Sequence, residues 1–171
     1  YGIAVDASAI PGFGGEIKSD VFLHPDPSTL ACLPWRSENG SVVRMLCTVT
    51  YPDGTPIESD SRTILMNAVQ EAANEGLEFT FGSELEFYLF KTDEEGKATK
   101  EPYDNAGYMD VSPLDKGENV RREICRTISQ MDIVPESSHH EEGPGQNEID
   151  FKSTGAFETA VNTLTFRSVV G

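Results

Sequence analysis

Gly82-Ser83-Glu84-Leu85-Glu86-Phe87-Tyr88-Leu89-Phe90 sets two carboxylates into a run that is otherwise aromatic and aliphatic. The composition and alternation read as a mostly buried β-strand. Residues i and i+2 of a strand project from one face about seven ångströms apart, so Glu84 and Glu86 look into the same space. A second stretch, His139-His140-Glu141-Glu142-Gly143-Pro144-Gly145-Gln146-Asn147-Glu148-Ile149-Asp150, repeats the theme. Its two glycines and proline permit a tight turn that returns Glu148 to the neighbourhood of Glu141. Buried carboxylates repel one another and lose hydration, and Mg²⁺ or Mn²⁺, which prefer hard oxygen donors, would relieve both penalties. Two readings stay open on these residues alone: a divalent-cation site, or a solvated acidic strand face with a polar hairpin. Adjacent strand residues point to opposite faces, so at most one of His139 and His140 reaches any one site, and no zinc-type spacing is present.

Working outward, helical periodicity appears on both sides of these strands. Asp60 is a plausible N-cap, Ile64, Leu65, Ala68, Val69 and Ala72 recur at helical spacing, and Gly76 supplies a stop. Gly82 is expected to interrupt the strand that follows. A second helix is expected after an N-cap at or near Asp115, with Val120, Ile124, Ile128 and Met131 on one face. A third, from about Thr154, carries Phe157, Val161, Leu164 and Val169. Lys91 to Gly107 is charged and reads as an exposed hairpin or loop, where no function is expected. Before Glu58 the chain is rich in Gly and Pro with short apolar runs such as Val42 to Val49, the pattern of short strands and turns. These features predict an α+β chain with a boundary near Glu58, dividing it into residues 1–57 and 58–171. No internal repeat or low-complexity segment is evident.

Charge and cysteine content narrow the function classes. Thirteen Lys and Arg stand against 29 Asp and Glu, a formal charge of −16. That balance repels nucleic acid and anionic membrane surfaces and suits multivalent cations, although acidity also serves solubility. Three cysteines without close spacing support neither a disulfide framework nor a thiolate metal site, and point to a reducing, cytoplasmic compartment. No run approaches the roughly twenty apolar residues that cross a bilayer. The chain opens at Tyr1 rather than Met and reads as a piece of a longer polypeptide.

The two acidic stretches, together with Gly107-Tyr108-Met109-Asp110, resemble the signature blocks of class I glutamine synthetase. Val5-Asp6-Ala7-Ser8-Ala9-Ile10-Pro11-Gly12-Phe13 is similar to that family's aspartate loop near the end of a β-grasp domain. Ser19-Asp20, Pro25-Asp26-Pro27-Ser28-Thr29 and Pro34-Trp35 follow in the family's order. The resemblance implies a partial N-terminal β-grasp domain, then the start of a catalytic domain built on an antiparallel sheet with flanking helices. It also implies ATP-dependent joining of glutamate and ammonia through a γ-glutamyl phosphate, with two Mg²⁺ or Mn²⁺ ions, between subunits of a homo-oligomeric ring.

Carried over residue by residue, Glu86, Glu141 and Glu148 would hold one ion and Glu84 would contribute to the other. Glu136 would contact the nucleotide, and His139 would lie near the transferred phosphate. Asp6, from an adjacent subunit, would form the ammonium pocket with Tyr108 and Glu141. Ala9 departs from the pattern, which commonly has serine there, and leaves open a glutamate–amine ligase of the same fold. A non-catalytic structural relative is disfavoured by the retained glutamates, and a simple cation-binding module by the lack of an EF-hand loop. The resemblance implies further ligands and arginines from a later segment, so these 171 residues alone are expected not to turn over substrate.

Overall fold

The computed structural model describes residues 2–10, 20–36 and 40–171. The motifs quoted above fall within these except for Ser19 and the Pro11-Gly12-Phe13 end of the aspartate loop, which lie outside the described residues. The chain forms two compact units, Tyr1–Phe79 and Thr80–Gly171.

In the first unit, strands β1 (Ile3–Asp6), β2 (Asp20–Pro25), β3 (Ala31–Cys32), β4 (Val43–Arg44) and β5 (Cys47–Thr50) precede helix α1 (Ser61–Asn74). β1, β2 and β5 make an antiparallel sheet with β2 central, and β3 pairs with β4. Ala7, Val21 and Ile57 are buried against Val5, Val49 and Tyr51. α1 starts and stops where the sequence predicts. The Asp60 carboxylate accepts from Thr63 N at 3.1 Å, filling the N-cap role. At the other end Gly76 has φ +74°, Gly76 N donates to Ala73 O, and Leu77 N donates to Ala72 O, the paired bonds of a Schellman stop.

The second unit holds β6 (Thr80–Tyr88), β7 (Phe90–Thr92), β8 (Ala98–Pro102), α2 (Glu118–Ser129), β9 (Pro135–His140), β10 (Gln146–Gly155) and α3 (Ala156–Val170). β10 lies between β6 and β9 in an antiparallel sheet, and β7 and β8 form the expected hairpin. The α+β class with an antiparallel sheet and flanking helices is therefore borne out. Ile124, Ile128, Ile133, Ile149, Phe151 and Phe166 form the core, with Leu85, Phe87, Val169 and Val170 packed against it.

Several local expectations are corrected. β6 is not mostly buried: Glu84, Glu86 and Tyr88 are exposed and alternate with half-buried Ser83, Leu85 and Phe87. It is an edge strand, and only its Leu85 and Phe87 side packs on the core. Gly82 does not interrupt it. The glycine sits opposite a bulge in β10 between Phe151 and Thr154, where a Cβ would lie 3.3 Å from Ser153 Oγ.

The cap of α2, expected at or near Asp115, falls on a close neighbour rather than on the aspartate itself. That position belongs to Gly117, which makes no side-chain cap bond, and a Cβ there would run into Asn147 Oδ1 and lie 3.2 Å from Arg121 Nη1. α3 buries Phe166, while Leu164 stays 48% exposed. Apolar residues occur all round this helix, so periodicity alone does not choose the face; contact of Phe166 with Phe87 and Phe151, at ring-centroid distances of 6.1 and 6.0 Å, does.

The turn from β9 to β10 depends on Gly145. Its φ is +69°, and a Cβ there would lie 2.6 Å from Leu89 O and 3.2 Å from Tyr103 N. Leu89 N meanwhile donates to Gly145 O at 2.8 Å, so the backbones cannot separate without losing that bond. Gly145→Ala is expected to destabilise the chain by about 2 kcal/mol or more, from left-handed strain and the clash together, measured as a lowered midpoint in urea unfolding.

Candidate metal centre

The β10 register sets the site. Glu148 pairs with Glu86 on one side and His139 on the other, and Asp150 pairs with Glu84 and Ser137. Cross-strand partners share a face, so one side of the sheet carries Glu84, Glu86, Ser137, His139, Glu148 and Asp150. The other side carries Leu85, Phe87, Ile149 and Phe151 toward the core. His140 follows that alternation: it is wholly buried, whereas His139 is on the acidic face.

The turn adds the next acidic residue. Glu141 N donates to Gln146 O and Gln146 N donates to Gly143 O, both at 2.9 Å, which folds residue 141 back over the start of β10. His139 Nε2 then lies 3.0 Å from Glu141 Oε1 and 3.4 Å from Glu148 Oε2. One ligand atom from each of His139, Glu141 and Glu148 falls within 4.8 Å of the others. Their side chains are largely shielded from water, with relative exposures of 18%, 14% and 10%. Tyr108 presents its ring edge-on to His139 at a centroid distance of 5.6 Å, while remaining 61% exposed overall.

Crowding of acids dominates the electrostatics. Burial, then Asp150 and Glu141 beside it, push the Glu148 carboxyl from its ordinary 4.5 up to about 8. Glu141 moves the other way, held down chiefly by the Glu142 amide, which donates to Glu141 Oε2 at 3.0 Å. Asp150 receives Ser137 Oγ on Oδ2, but its Oδ1 is buried without a donor. A carboxyl driven to keep its proton, an orphaned carboxylate oxygen and an imidazole nitrogen together fit a divalent cation, which would supply the missing positive charge.

The remaining expected residues fall in different places. Glu86 stands opposite Glu148, but its carboxylate accepts the Gln146 side-chain amide. Glu84 is exposed opposite Asp150. Glu136 is exposed at the irregularity in β9, without a register partner in β10. Asp6 belongs to the first unit, where its carboxylate accepts from Ser8 N at 2.9 Å and Ser8 Oγ at 2.6 Å and is lowered by those bonds.

Four buried polar residues escaped sequence reasoning: Asp104, Asp115 in its actual role, Arg121 and Asn147. Arg121 donates to Asp115 through Nη2 at 2.6 Å and to Asn147 Oδ1 through Nη1 at 2.5 Å. Asp104 corrects the view of Lys91 to Gly107 as a purely exposed segment, since its side chain is 1% exposed and bonded to His140. The only available signal was an aspartate before a Gly-containing turn, which normally reads as turn chemistry.

The glutamine synthetase catalytic domain matches residues 58–171, and the glutamine synthetase beta-grasp domain matches residues 1–52. A glutamine synthetase from Clostridium saccharobutylicum is 46% identical over 165 residues, covering 96% of this chain and 37% of the relative. One from Methanosarcina mazei is 44% identical over 169 residues, covering 99% of this chain and 38% of the relative. The chain thus spans well under half the length of these relatives. Among solved structures, a Plasmodium falciparum glutamine synthetase superposes with TM-score 0.83 at 23% identity, a likeness of fold alone, covering 99% of this chain and 38% of that one. A GmaS/ADP complex superposes with TM-score 0.80 at 26% identity, with the same coverage of 99% and 38%.

The Glu148 carboxyl binds its proton more tightly folded than unfolded. Its stabilising contribution is therefore complete below about 4.5 and is lost as pH rises through about 8. In EDTA, the stability of the wild-type chain relative to Glu148→Gln is expected to fall by on the order of 2–4 kcal/mol between about pH 5 and pH 8, measured by urea unfolding. Added Mn²⁺ should remove most of that fall and release protons on binding at neutral pH.

Proposed function

This chain belongs to the glutamine synthetase family, and from that premise we propose that its acidic sheet face is part of the site of an ATP-dependent ligase joining ammonia to L-glutamate. The observation that carries the proposal is the convergence of His139, Glu141 and Glu148 within 4.8 Å on a shielded face. We assign one divalent cation, Mg²⁺ or Mn²⁺, to Glu141 and Glu148 with Glu86 from the facing strand, and a contribution from Glu84 to a second. When bound, such ions neutralise charge as a phosphoryl group passes from ATP to the glutamate carboxylate.

The chain's own residues serve the remaining needs. His139, whose Nε2 lies beside both glutamates, is assigned to the neighbourhood of the transferred phosphate. Glu136 is assigned to the nucleotide. Tyr108 and Glu141, with Asp6 from a neighbouring subunit of a homo-oligomeric ring, are assigned to ammonium. A carboxylate that binds NH₄⁺ can also take its proton, leaving neutral ammonia to attack the γ-glutamyl phosphate. The matched ranges support a division at 57/58 between the end of a β-grasp domain and the start of the catalytic domain. A cytoplasmic location is supported by three free cysteines.

One observation favours a second acceptor. Ala9, directly after the Asp6–Ser8 hydrogen-bonded turn, offers no hydroxyl where the family pattern commonly has serine, so a glutamate–amine ligase of the same fold is the alternative. Assay of the full-length protein carrying this chain with ATP, glutamate and Mg²⁺, against ammonia and a panel of amines, decides between them. No product with any nitrogen donor would sink both.

For this chain by itself, Mn²⁺ affinity is expected to weaken about tenfold or more in Glu148→Ala and in Glu86→Ala, about 1.4 kcal/mol or more, by electron paramagnetic resonance titration. Equal affinity in all three proteins would remove the site as assigned. The isolated 171-residue chain is expected to form no γ-glutamyl hydroxamate from glutamate, hydroxylamine and ATP.

A further inference from the structure

Behind the acidic cluster, on the core side of the sheet, lies a set of buried polar bonds that the proposed chemistry does not use. The Asp104 and His140 side chains are 1% and 0% exposed. Asp104 Oδ1 lies 2.9 Å from His140 Nε2 and accepts from Gly145 N at 3.1 Å, and Oδ2 accepts from Lys116 N at 2.9 Å. The other ring nitrogen, His140 Nδ1, lies 2.6 Å from the carbonyl oxygen of Glu141. His140 O accepts from Met109 N at 3.0 Å, joining the segment that carries Tyr108.

One carboxylate thereby grips both ends of the β9–β10 turn. Through the imidazole it holds the Glu141 peptide, and through the Gly145 amide it holds the chain three residues before Glu148. Asn147 Nδ2 adds a bond to Gly145 O at 2.9 Å. The turn contains Gly143 and Gly145, residues that leave a backbone loosely determined unless contacts fix it. Glu141 and Glu148 can approach their common neighbour His139 only while that turn keeps its shape.

We infer that Asp104 is a positioning residue for the cation cluster, acting through His140 and Gly145 to hold Glu141 and Glu148 at ligating separation. The inference rests on the metal reading given above. Residues that orient ligands from behind typically change metal affinity about tenfold to hundredfold when altered.

The test compares Mn²⁺ titrations of the wild-type chain, Asp104→Asn and His140→Gln with Ile128→Val, which trims a fully buried side chain of the same unit's hydrophobic core. The expected result is a Kd raised about tenfold or more in Asp104→Asn and His140→Gln, with an altered Mn²⁺ resonance spectrum. Ile128→Val should lower Tm while leaving Kd and spectrum as in wild type. Wild-type Kd in a folded Asp104→Asn, or equal weakening in Ile128→Val, overturns the inference. Failure of both Asp104→Asn and His140→Gln to fold assigns the pair to stability and overturns it too. A wild-type chain that binds no Mn²⁺ refutes instead the metal reading on which the inference stands.

Discussion

The pairing register of β10 is the constraint on which everything else rests. With Glu148 between Glu86 and His139, the acids face one way and Ile149 and Phe151 face the core. A slip of one residue would exchange the two sets, burying carboxylates among Ile128 and Phe166 and turning the aliphatic residues outward. The register is secured from the apolar side, because Ile149 is fully buried and Phe151 nearly so. Hydrophobic packing on one face thus dictates where charges stand on the other. The acidic set does not need to find its own position.

The fold achieves convergence of like charges by supplying little to oppose them. Within the cluster, His139 is the one side chain able to carry positive charge near Glu141 and Glu148. Elsewhere in the same unit buried acids are treated differently. Asp115 faces Arg121, and Asp104 accepts several amide and imidazole bonds; in both, burial raises the carboxyl but the partners outweigh it and hold it below its ordinary range. Glu148 receives no comparable set, and its shift has the opposite sign. The contrast separates carboxylates satisfied by the chain's own donors from one whose neighbours are mainly other acids.

How much of this was readable from the sequence follows the range of the interactions. Asp60, Gly76 and the Gly143-Pro144-Gly145 turn act through neighbours a few residues away, and helix ends and turn appear where those residues put them. The spacing of Glu84 and Glu86, and of Glu141 and Glu148, identified the acidic face because strand alternation is also local. What failed was partner choice. Arg121 bonds Asn147 across 26 positions and His140 bonds Asp104 across 36, and no local pattern distinguishes such residues from ordinary turn and helix polar groups. The aromatic run of β6 suggested burial on both sides, because periodicity does not reveal that a strand will lie at a sheet edge.

The start of α2 shows how these demands compete. Gly117 occupies the cap position without a capping side chain, because the space beside its Cα belongs to Asn147 and Arg121. Installing Ser or Asp at a helix start is among the commonest ways to raise a protein's stability. Here that route is closed by crowding from behind the sheet. An engineer seeking a hardier version of this chain would have to turn to other positions, such as those of α1, where no side chain is buried.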